Sequence, residues 1–422
     1  MYFKNKILNP NQTLQLETKM KKELITILFI FTVINMFGQI TATSKPDKTN
    51  YSNDKLPLSE AVTNKVISPL KKVELDEEAI LLYDYDGSIF SYDFDSEDIN
   101  WTIKATDSNT EMCANKVTIH DGVIYVPFIN GEIFAIDNVT GEAFWKSRLG
   151  NITDQIVLKD QTPIINGGKL YITAQNQDQS SNIYALNIKD GSLSWSYKLD
   201  TPNNDIPVLF FDNKIFTQSA SNVYSFDANT GKVLNQKSFE EPMHGKPVTD
   251  GENVFIANEK NLLFALSPDK LDILWQFKLD ENQHNIKERI FCKDKKVYLA
   301  AQGSTVSSVY AVDSKTGAQL WKTDFKDDNI EYITEHDDTI WGYTRKGKLF
   351  KLNLTNGEIV LEIKLTTLPV SNIEFPEDDN LFYYYCDAGL IEYNIKDKEE
   401  IVYYMRTSLK DDIYSAYIKL IQ

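Results

Sequence analysis

Apolar residues come in short runs of four or five along most of the chain, separated by polar stretches rich in Asp, Asn and Gly. Val-Ile-Tyr-Val at 123–126 and Lys-Leu-Tyr-Ile-Thr at 169–173 are examples. Runs of this length between turn residues predict β-strands. After residue 70 no stretch has a convincing helical period of 3.6 residues. The pattern therefore predicts an all-β protein.

An 11-residue frame repeats along this strand pattern. Residues 135–145 read AIDNVTGEAFW and residues 311–321 read AVDSKTGAQLW. The frame occurs eight times at intervals of 40–50 residues, starting at Ser91, Ala135, Ala185, Ser225, Ala265, Ala311, Lys351 and Glu392. Asp or Asn at its third position starts a turn, and Gly at its seventh permits a positive φ, so each frame predicts a hairpin. Two further strands precede each hairpin. Four strands in about 40 residues predict an eight-bladed β-propeller of four-stranded antiparallel blades over residues 71–422.

Five of the six tryptophans occupy the last position of a frame. A large aromatic residue that recurs once per sheet is expected to pack in the core and not to carry chemistry. The same structural role is expected for the recurring glycines. The residues assigned to blade docking are Trp101, Trp145, Trp195, Trp275, Trp321, Gly141, Gly191, Gly231, Gly317 and Gly357.

The pattern A-x-D-x-x-T-G-x-x-x-W resembles the tryptophan-docking motif of the PQQ-like β-propeller repeat family, and the resemblance covers residues 71–422. It implies that each Trp packs flat between neighbouring blades, against the Gly turn and the small Ala position. The family includes quinone-dependent alcohol dehydrogenases and non-catalytic scaffolds. The architecture also resembles the propeller subunit of the outer-membrane β-barrel assembly machinery, a lipoprotein whose lipidated Cys this chain lacks.

The N-terminal region predicts export. Lys21 and Lys22 precede a 14-residue apolar run at 24–37, which fits a signal peptide starting at Met20 and cleaved near Gln39. An uncleaved membrane anchor is the alternative. Residues 1–39 are thus assigned to a mis-called start plus signal peptide, and 40–70 to a polar linker. The mature chain is expected to be periplasmic or secreted, without a transmembrane span.

The net charge of the chain argues against nucleic acid as a partner, and its cysteine content argues against a disulfide scaffold. The formal net charge of −17 disfavours nucleic acid, because an acidic surface repels phosphates. The three cysteines, Cys113, Cys292 and Cys386, are far apart and too few for a disulfide scaffold, so they are expected to be small buried residues.

No catalytic or metal site is predicted. The quinoprotein resemblance implies a Ca²⁺ site, a catalytic carboxylate and an adjacent Cys pair, and the sequence has no such pair. The four histidines show no metal-ligand spacing among themselves and are expected in turns or on the surface: His120, His244, His284 and His336. No cofactor is expected; PQQ with calcium is the alternative.

The predicted function is that of a non-catalytic scaffold or binding protein of the bacterial envelope, monomeric, with an envelope protein or a glycan as partner. A quinone-dependent dehydrogenase or sugar-binding enzyme using the central channel is the alternative. Longer connections precede or lie within blades 2, 3 and 6, all on one face, at 150–161, 175–182 and 302–308. The candidate partner-binding residues on them are Asp154, Gln175, Asn176, Asp178 and Gln302.

The end of the chain is expected to close the ring. Residues 413–421, IYSAYIKLI, are in phase with the innermost strand of blade 1. Residues 72–77, KVELDE, are a rival for the same place. Some segment must cover that sheet edge, since an open edge invites aggregation.

Overall fold

The structure is a computed structural model that describes residues 62–76, 79–84, 87–106, 115–150, 156–199, 207–280, 283–404 and 417–421. The predicted start, signal peptide and most of the predicted linker lie outside these residues. The described residues form eight antiparallel sheets in a ring and contain no helix, which confirms the eight-bladed β-propeller.

The strands, in chain order, are β1 (Val62–Val66), β2 (Ala79–Tyr83), β3 (Ser88–Asp93), β4 (Asp98–Lys104), β5 (Thr118–His120), β6 (Val123–Pro127), β7 (Glu132–Asp137), β8 (Ala143–Leu149), β9 (Ile164–Asn166), β10 (Lys169–Gln175), β11 (Ser181–Asn187), β12 (Leu193–Leu199), β13 (Leu209–Phe211), β14 (Lys214–Ser219), β15 (Asn222–Asp227), β16 (Val233–Ser238), β17 (Met243–Thr249), β18 (Val254–Asn258), β19 (Leu262–Leu266), β20 (Ile273–Lys278), β21 (Gln283–Lys293), β22 (Lys296–Gly303), β23 (Val306–Asp313), β24 (Gln319–Lys326), β25 (Ile330–His336), β26 (Thr339–Thr344), β27 (Lys348–Asn353), β28 (Ile359–Lys364), β29 (Leu381–Cys386), β30 (Gly389–Asn394), β31 (Glu399–Tyr404) and β32 (Tyr417–Leu420).

Six blades follow the predicted order of four strands, from an innermost first strand to an outermost fourth strand. Blade 1 is β32-β2-β3-β4, and blades 3 to 7 run in order from β9 to β28. Blade 2 has a fifth strand, because β1 pairs with the outer edge of β8. Blade 8 has three strands, β29 to β31, and its innermost position is reduced to a single bridge between Glu374 and Tyr383.

Each frame forms the hairpin between the third and fourth strands. In blade 2 the Asp137 carboxylate accepts hydrogen bonds from the backbone N–H groups of Val139 and Thr140, and the Gly141 N–H closes the turn on the Asp137 carbonyl. Asp227 and Asp313 make the same contacts in blades 4 and 6. Local side-chain bonding of Asp to the backbone is why this residue recurs at the start of the turn.

The tryptophans dock on the turn of the following blade. An added Cβ at Gly231 would lie 2.5–3.0 Å from ring atoms of Trp195, and the other four docking glycines face the preceding Trp in the same way. Each indole N–H also donates to a carbonyl in that turn, at 2.7–3.3 Å. The ring therefore both packs on the glycine and satisfies its polar group. The repeated frame therefore forms a packing contact between neighbouring blades.

Three seams between blades lack the tryptophan, and there the next turn lacks the glycine. Asn235, Leu361 and Val402 stand at the Trp position, and they precede the turns that carry Leu271, Lys398 and Glu97, whose φ values are 55–59°. In the first case the Asn235 amide donates to the Asp269 carbonyl at 2.7 Å. Leu271 is fully buried in that seam. The seventh frame position therefore tolerates a side chain wherever no indole packs against it.

The C-terminal strand closes the ring, as predicted. Strand β32 pairs antiparallel with β2, so it is the innermost strand of blade 1. Its other edge is held by blade 8: the Asn372 side chain donates to the Ile418 carbonyl and accepts from the Ile418 N–H, both at 3.0 Å. Glu374 accepts from the Lys419 amine at 2.8 Å. Burial raises the pKa of the Glu374 carboxyl, and Lys419 opposes this rise.

The rival segment 72–77 does not fill that place. The Val73 N–H donates to the Asp121 carbonyl in the first turn of blade 2, and the Asn138 amide of the same blade donates to the Glu74 carbonyl. The carbonyl of Val73 passes so close to Gly122 that no side chain fits there. Residues 72–76 therefore pack along the turns of blade 2 before the chain enters blade 1.

The predicted linker ends earlier than residue 70, because Val62–Val66 is a strand. Four of its five residues are exposed, so its sequence shows no buried face. It is held through backbone pairing with the outer edge of blade 2, in register from Val62 opposite Leu149 to Val66 opposite Trp145. An edge strand held by its backbone leaves little signal in the pattern of apolar residues.

Replacing a docking glycine is expected to destabilise the ring. Gly231→Ala should lower the free energy of unfolding by about 2–4 kcal/mol, from the left-handed backbone and from displacement of Trp195. Lys398→Ala is the matched control, at the same frame position with positive φ but no indole, and should change it by less than about 0.5 kcal/mol. Denaturant unfolding measures both. If Gly231→Ala costs no more than the roughly 1–2 kcal/mol of a left-handed alanine, the indole does not require the glycine.

Removing the closing strand is expected to cost much more than removing the added edge strand. Deletion of 411–422 removes the buried side chains of Ile418, Leu420 and Ile421 and exposes the apolar surface that they cover. At about 1.5–3 kcal/mol for each buried aliphatic side chain, the loss is about 5 kcal/mol. A variant that begins at residue 67 lacks β1 and should lose only about 1 kcal/mol, since little apolar surface is exposed. Thermal unfolding compares the two; an unchanged melting temperature after deletion of 411–422 would exclude the closing role.

Candidate functional site

The propeller has two unequal faces. Connections between first and second strands and between third and fourth strands lie on one face, called here the turn face. Connections between second and third strands, and those between blades, lie on the opposite face, called here the loop face. Gln175, Asn176, Asp178 and Gln302, the predicted partner-binding residues that the structure describes, lie on the loop-face side of blades 3 and 6.

Blade 3 carries a lengthened hairpin on the loop face. Its strands β10 and β11 have seven residues each, against six in β14 and β15 of blade 4. The connection spans only residues 176–180, where Asn176 donates to the Ser180 hydroxyl and the Asp178 carboxylate accepts from the Ser180 N–H. The Ser180 hydroxyl also donates to the Asp178 carboxylate, and this bond, together with the Lys198 amine at 3.0 Å, lowers the pKa of this carboxyl to about 2. The tip is a fixed turn.

Blade 6 carries the second lengthened hairpin. Strands β22 and β23 have eight residues each and leave only residues 304 and 305 between them. The Gln302 amide donates to the Ile330 carbonyl of blade 7 at 3.2 Å. The Thr305 carbonyl accepts from the Asp327 N–H at 2.7 Å. Blade 6 is therefore tied to its neighbour close to the tip.

The insertions in blades 3 and 6 partly extend the strands of the two hairpins, at Gln175, Ser181 and Asn182 and at Gln302, Gly303 and Val306–Ser308. Ser181 and Asn182 in blade 3, and Ser307 and Ser308 in blade 6, are buried. Their polar side chains bond inside the protein, as in the pair Ser308–Asp324 at 2.7 Å. The expectation that this Gln-, Asn- and Ser-rich composition is presented to a partner is wrong for these residues. In these lengthened hairpins, polar side chains on paired strands form hydrogen bonds with one another.

The four predicted partner-binding residues that the structure describes have different roles. Gln175 ends β10, and its backbone forms a bridge with Val157 in the segment entering blade 3. Asn176 holds its own hairpin through Ser180, whereas Gln302 bonds to the Ile330 carbonyl of blade 7. Asp178 is the most exposed of the four described residues. Asp154 lies outside the described residues.

A polar network that the sequence did not suggest lies beneath the blade 6 hairpin. The Lys322 amine contacts the carboxylates of Asp280 at 2.7 Å and Asp324 at 2.9 Å. Burial alone would lower the pKa of this amine, but the two carboxylates outweigh it and raise the pKa. Gln283 donates to Ser308 at 3.0 Å and extends the network to the innermost strand. These groups fix the base of the protruding hairpin.

A cation without a charged partner among the described residues lies on the innermost strand of blade 5. Lys246 lies on β17, where pairing with β18 is interrupted between His244 and Val248. Burial lowers the pKa of its amine, and no bond to this amine is found among the described residues. An unpaired, partly buried lysine is suited to an anionic group. Sequence reasoning missed it, because one Lys among many gives no signal.

One possible metal-ligand group occurs in the described part of the chain. His336, Asp337 and Asp379 bring their ligand atoms within 4.8 Å of one another on the turn face. The histidine was expected to stand alone in its turn; the structure places beside it an acidic residue from the next blade. A calcium-bound quinone would need such ligands near the channel, and this group lies on turns instead.

The described cysteines are unpaired. Cys386 is buried and Cys292 is half-buried, while Cys113 lies outside the described residues. Burial raises the pKa of the Cys386 thiol. A buried neutral thiol behaves as a small apolar side chain.

Across the described residues, no helix has the length and apolarity needed to cross a bilayer.

Known proteins share both the repeat and the ring. Outer membrane protein assembly factor BamB of Moranella endobia is 24% identical over 137 residues, 32% of this chain and 32% of that protein. Quinoprotein ethanol dehydrogenase of Pseudomonas putida is 23% identical over 197 residues, 44% of this chain and 26% of that protein. The matched part is therefore about a third or less of each relative's length.

The fold and the family model agree with these relatives. The crystal structure of BamB from Moraxella catarrhalis superposes with a TM-score of 0.56 at 16% identity, over 78% of this chain and 97% of that one. At this identity the likeness shows the fold alone. A family model described as outer membrane protein assembly factor BamB matches residues 30–181, 179–309 and 305–401. The chain belongs to this family of PQQ-like propellers.

Proposed function

We propose that the protein is an exported, non-catalytic scaffold of the bacterial envelope that takes part in the assembly of outer-membrane proteins. The observation that carries the proposal is the family match over most of the ring, since the family is described as an outer membrane protein assembly factor. The signal-peptide pattern at 20–39 supports export.

The loop face is the proposed partner-binding face. Blades 3 and 6 raise lengthened hairpins there, whereas the frame hairpins on the turn face end in short turns. Both hairpins are braced, by Asp178–Lys198 and by Lys322 with its two carboxylates. Rigid projections lose little conformational freedom on binding, which favours affinity.

The partner is proposed to be a protein with a basic, polar surface. The exposed tip residues are Gln177, Asp178, Gln179, Ser304 and Thr305. They offer polar contacts and, with a net charge of −17, an acidic environment. Opposite charge on the partner would steer association. A glycan, which carries no such charge complementarity, is the other outcome of the test.

Lysine side chains at the tips of the two hairpins are expected to prevent capture of the partner protein. The triple variant Gln177→Lys, Gln179→Lys and Thr305→Lys leaves the buried hairpin residues intact and should reduce recovery of an outer-membrane protein from solubilised envelopes at least tenfold. Val139→Lys with Asn229→Lys, on the turn face, is the matched control and should capture normally. Normal capture by the tip variant and loss in the control would place the binding face on the opposite side. Capture of glycan instead of protein would reject the proposed partner class.

A quinone-binding function in the central channel is the second candidate. It is favoured by the likeness to quinoprotein ethanol dehydrogenase and by Lys246, an unpaired cation on an innermost strand. The quinone would supply redox chemistry when bound, and Lys246 would bind one of its carboxylates.

As a scaffold, the protein is expected to retain no quinone. Purified protein is mixed with PQQ and Ca²⁺, passed over a gel-filtration column and examined for a quinone absorbance band. The expected result is no band. A retained band that is weakened in Lys246→Met and unchanged in Lys260→Met, an exposed control, would favour the second candidate and contradict the first.

A further inference from the structure

We propose that His336, Asp337 and Asp379 bind a divalent transition-metal ion that joins blades 7 and 8. His336 ends the innermost strand β25, and Asp337 follows it in the turn. Asp379 comes from the connection that leads into β29 of blade 8. The three ligand atoms lie within 4.8 Å of one another.

The imidazole is held in place for coordination. Its ring stacks on Phe375 with centroids 4.0 Å apart and planes 8° from parallel. Its Nε2 atom is shielded from solvent and makes no hydrogen bond among the described residues. The nearest acceptor is the Asp337 carboxylate at 3.2 Å. A buried nitrogen without a hydrogen bond is costly, and a metal ion would satisfy it.

The donor set selects the class of ion. One imidazole nitrogen and two carboxylate oxygens suit Zn²⁺, Mn²⁺ or Co²⁺ better than the oxygen-seeking Mg²⁺ and Ca²⁺. Zn²⁺ bonds of about 2.0–2.2 Å need ligand atoms about 3.3 Å apart, so the group must contract slightly. Asp337 and Asp379 are exposed and free to rotate inward. Water would complete the coordination.

The surrounding charges leave this group available. The nearby Lys293 amine contacts Glu335 at 2.5 Å and Asp338 at 2.6 Å and offsets one of their two negative charges. Asp378 is occupied with the backbone and side chain of Asn380. Among the described residues, Lys293 makes no ion pair with Asp337 or Asp379. Two unneutralised carboxylates therefore face the imidazole.

The position also gives the ion a structural role. Leu361 and Lys398 replace the docking tryptophan and glycine at the seam between blades 7 and 8, so this seam lacks the indole contact. Blade 8 is also the blade with three strands. A metal ion ligated from both sides would supply a cross-link where the repeated one is missing.

The chain contains its own control for this site. His120 and Asp121 occupy the equivalent turn of blade 2, between β5 and β6, as His336 and Asp337 do between β25 and β26. The His120 Nε2 lies 3.7 Å from the Asp121 carboxylate. No third ligand from the described residues joins that pair. The two turns thus differ in the residue contributed by the next blade.

Metal binding is measured on the purified full-length mature protein with Zn²⁺ in calorimetry and with Co²⁺ by visible absorption. We expect one ion per chain, a Co²⁺ band, and a melting temperature that rises with Zn²⁺ and returns with a chelator. His336→Gln and Asp379→Asn should weaken Zn²⁺ binding at least tenfold and abolish the rise. His120→Gln should leave all readouts unchanged.

Three outcomes would overturn the proposal. These are no saturable binding at millimolar Zn²⁺, equal affinity in all variants, or binding without thermal stabilisation. The first would leave His336 as an ion pair with Asp337. Because Asp379 is exposed, Asp379→Asn remains folded and keeps the test decisive if His336→Gln unfolds. The result is independent of partner capture.

Discussion

The ring depends on one contact, the indole of a fourth strand lying on a glycine of the next blade's turn. The contact needs both partners, since an indole face leaves no room for a Cβ and a polar N–H must be satisfied when buried. It also uses the turn twice: the glycine gives the flat surface, and a carbonyl three residues earlier accepts the indole hydrogen. In the turns of blades 4 and 7 that carbonyl also accepts a hydrogen bond from a tyrosine on the second strand of the preceding blade, Tyr171 or Tyr298. Burial raises the pKa of Tyr171 to about 12, so its phenol remains a donor.

Because the contact repeats, the sequence was sufficient to predict the fold. Trp and Gly at fixed spacing define the frame, and the frame counts the blades. The closing strand at 417–420 could also be predicted, because a ring of blades leaves one sheet edge to be covered. The strand Val62–Val66 could not, because it buries almost no side chain and owes its place to backbone pairing. The shortened first strand of blade 8 was missed for a related reason, because one isolated bridge leaves no periodic pattern of apolar residues in the sequence.

The candidate site was predicted less well, for a physical reason. The lengths of the insertions correctly located the lengthened hairpins in blades 3 and 6. Their polar composition, however, wrongly suggested that all of these residues are exposed to a partner. Ser181, Asn182, Ser307 and Ser308 are polar in sequence and buried in the structure, because paired strands satisfy polar groups as well as a solvated loop does. The grouping of His336 with Asp379 was invisible in sequence, since the two residues come from neighbouring blades. Spacing rules apply within an element and do not extend across a seam.

The seams without an indole are unevenly distributed around the ring. Two of the three flank blade 8, whose innermost position is a single bridge, and that blade also holds the C-terminal strand through Asn372 and Glu374. Local opening is cheapest where buried contacts are fewest. Amide hydrogens of blade 8 are therefore expected to exchange with solvent through openings that leave blades 2 to 4 intact. The preferred places for the ring to open are the two seams that border blade 8.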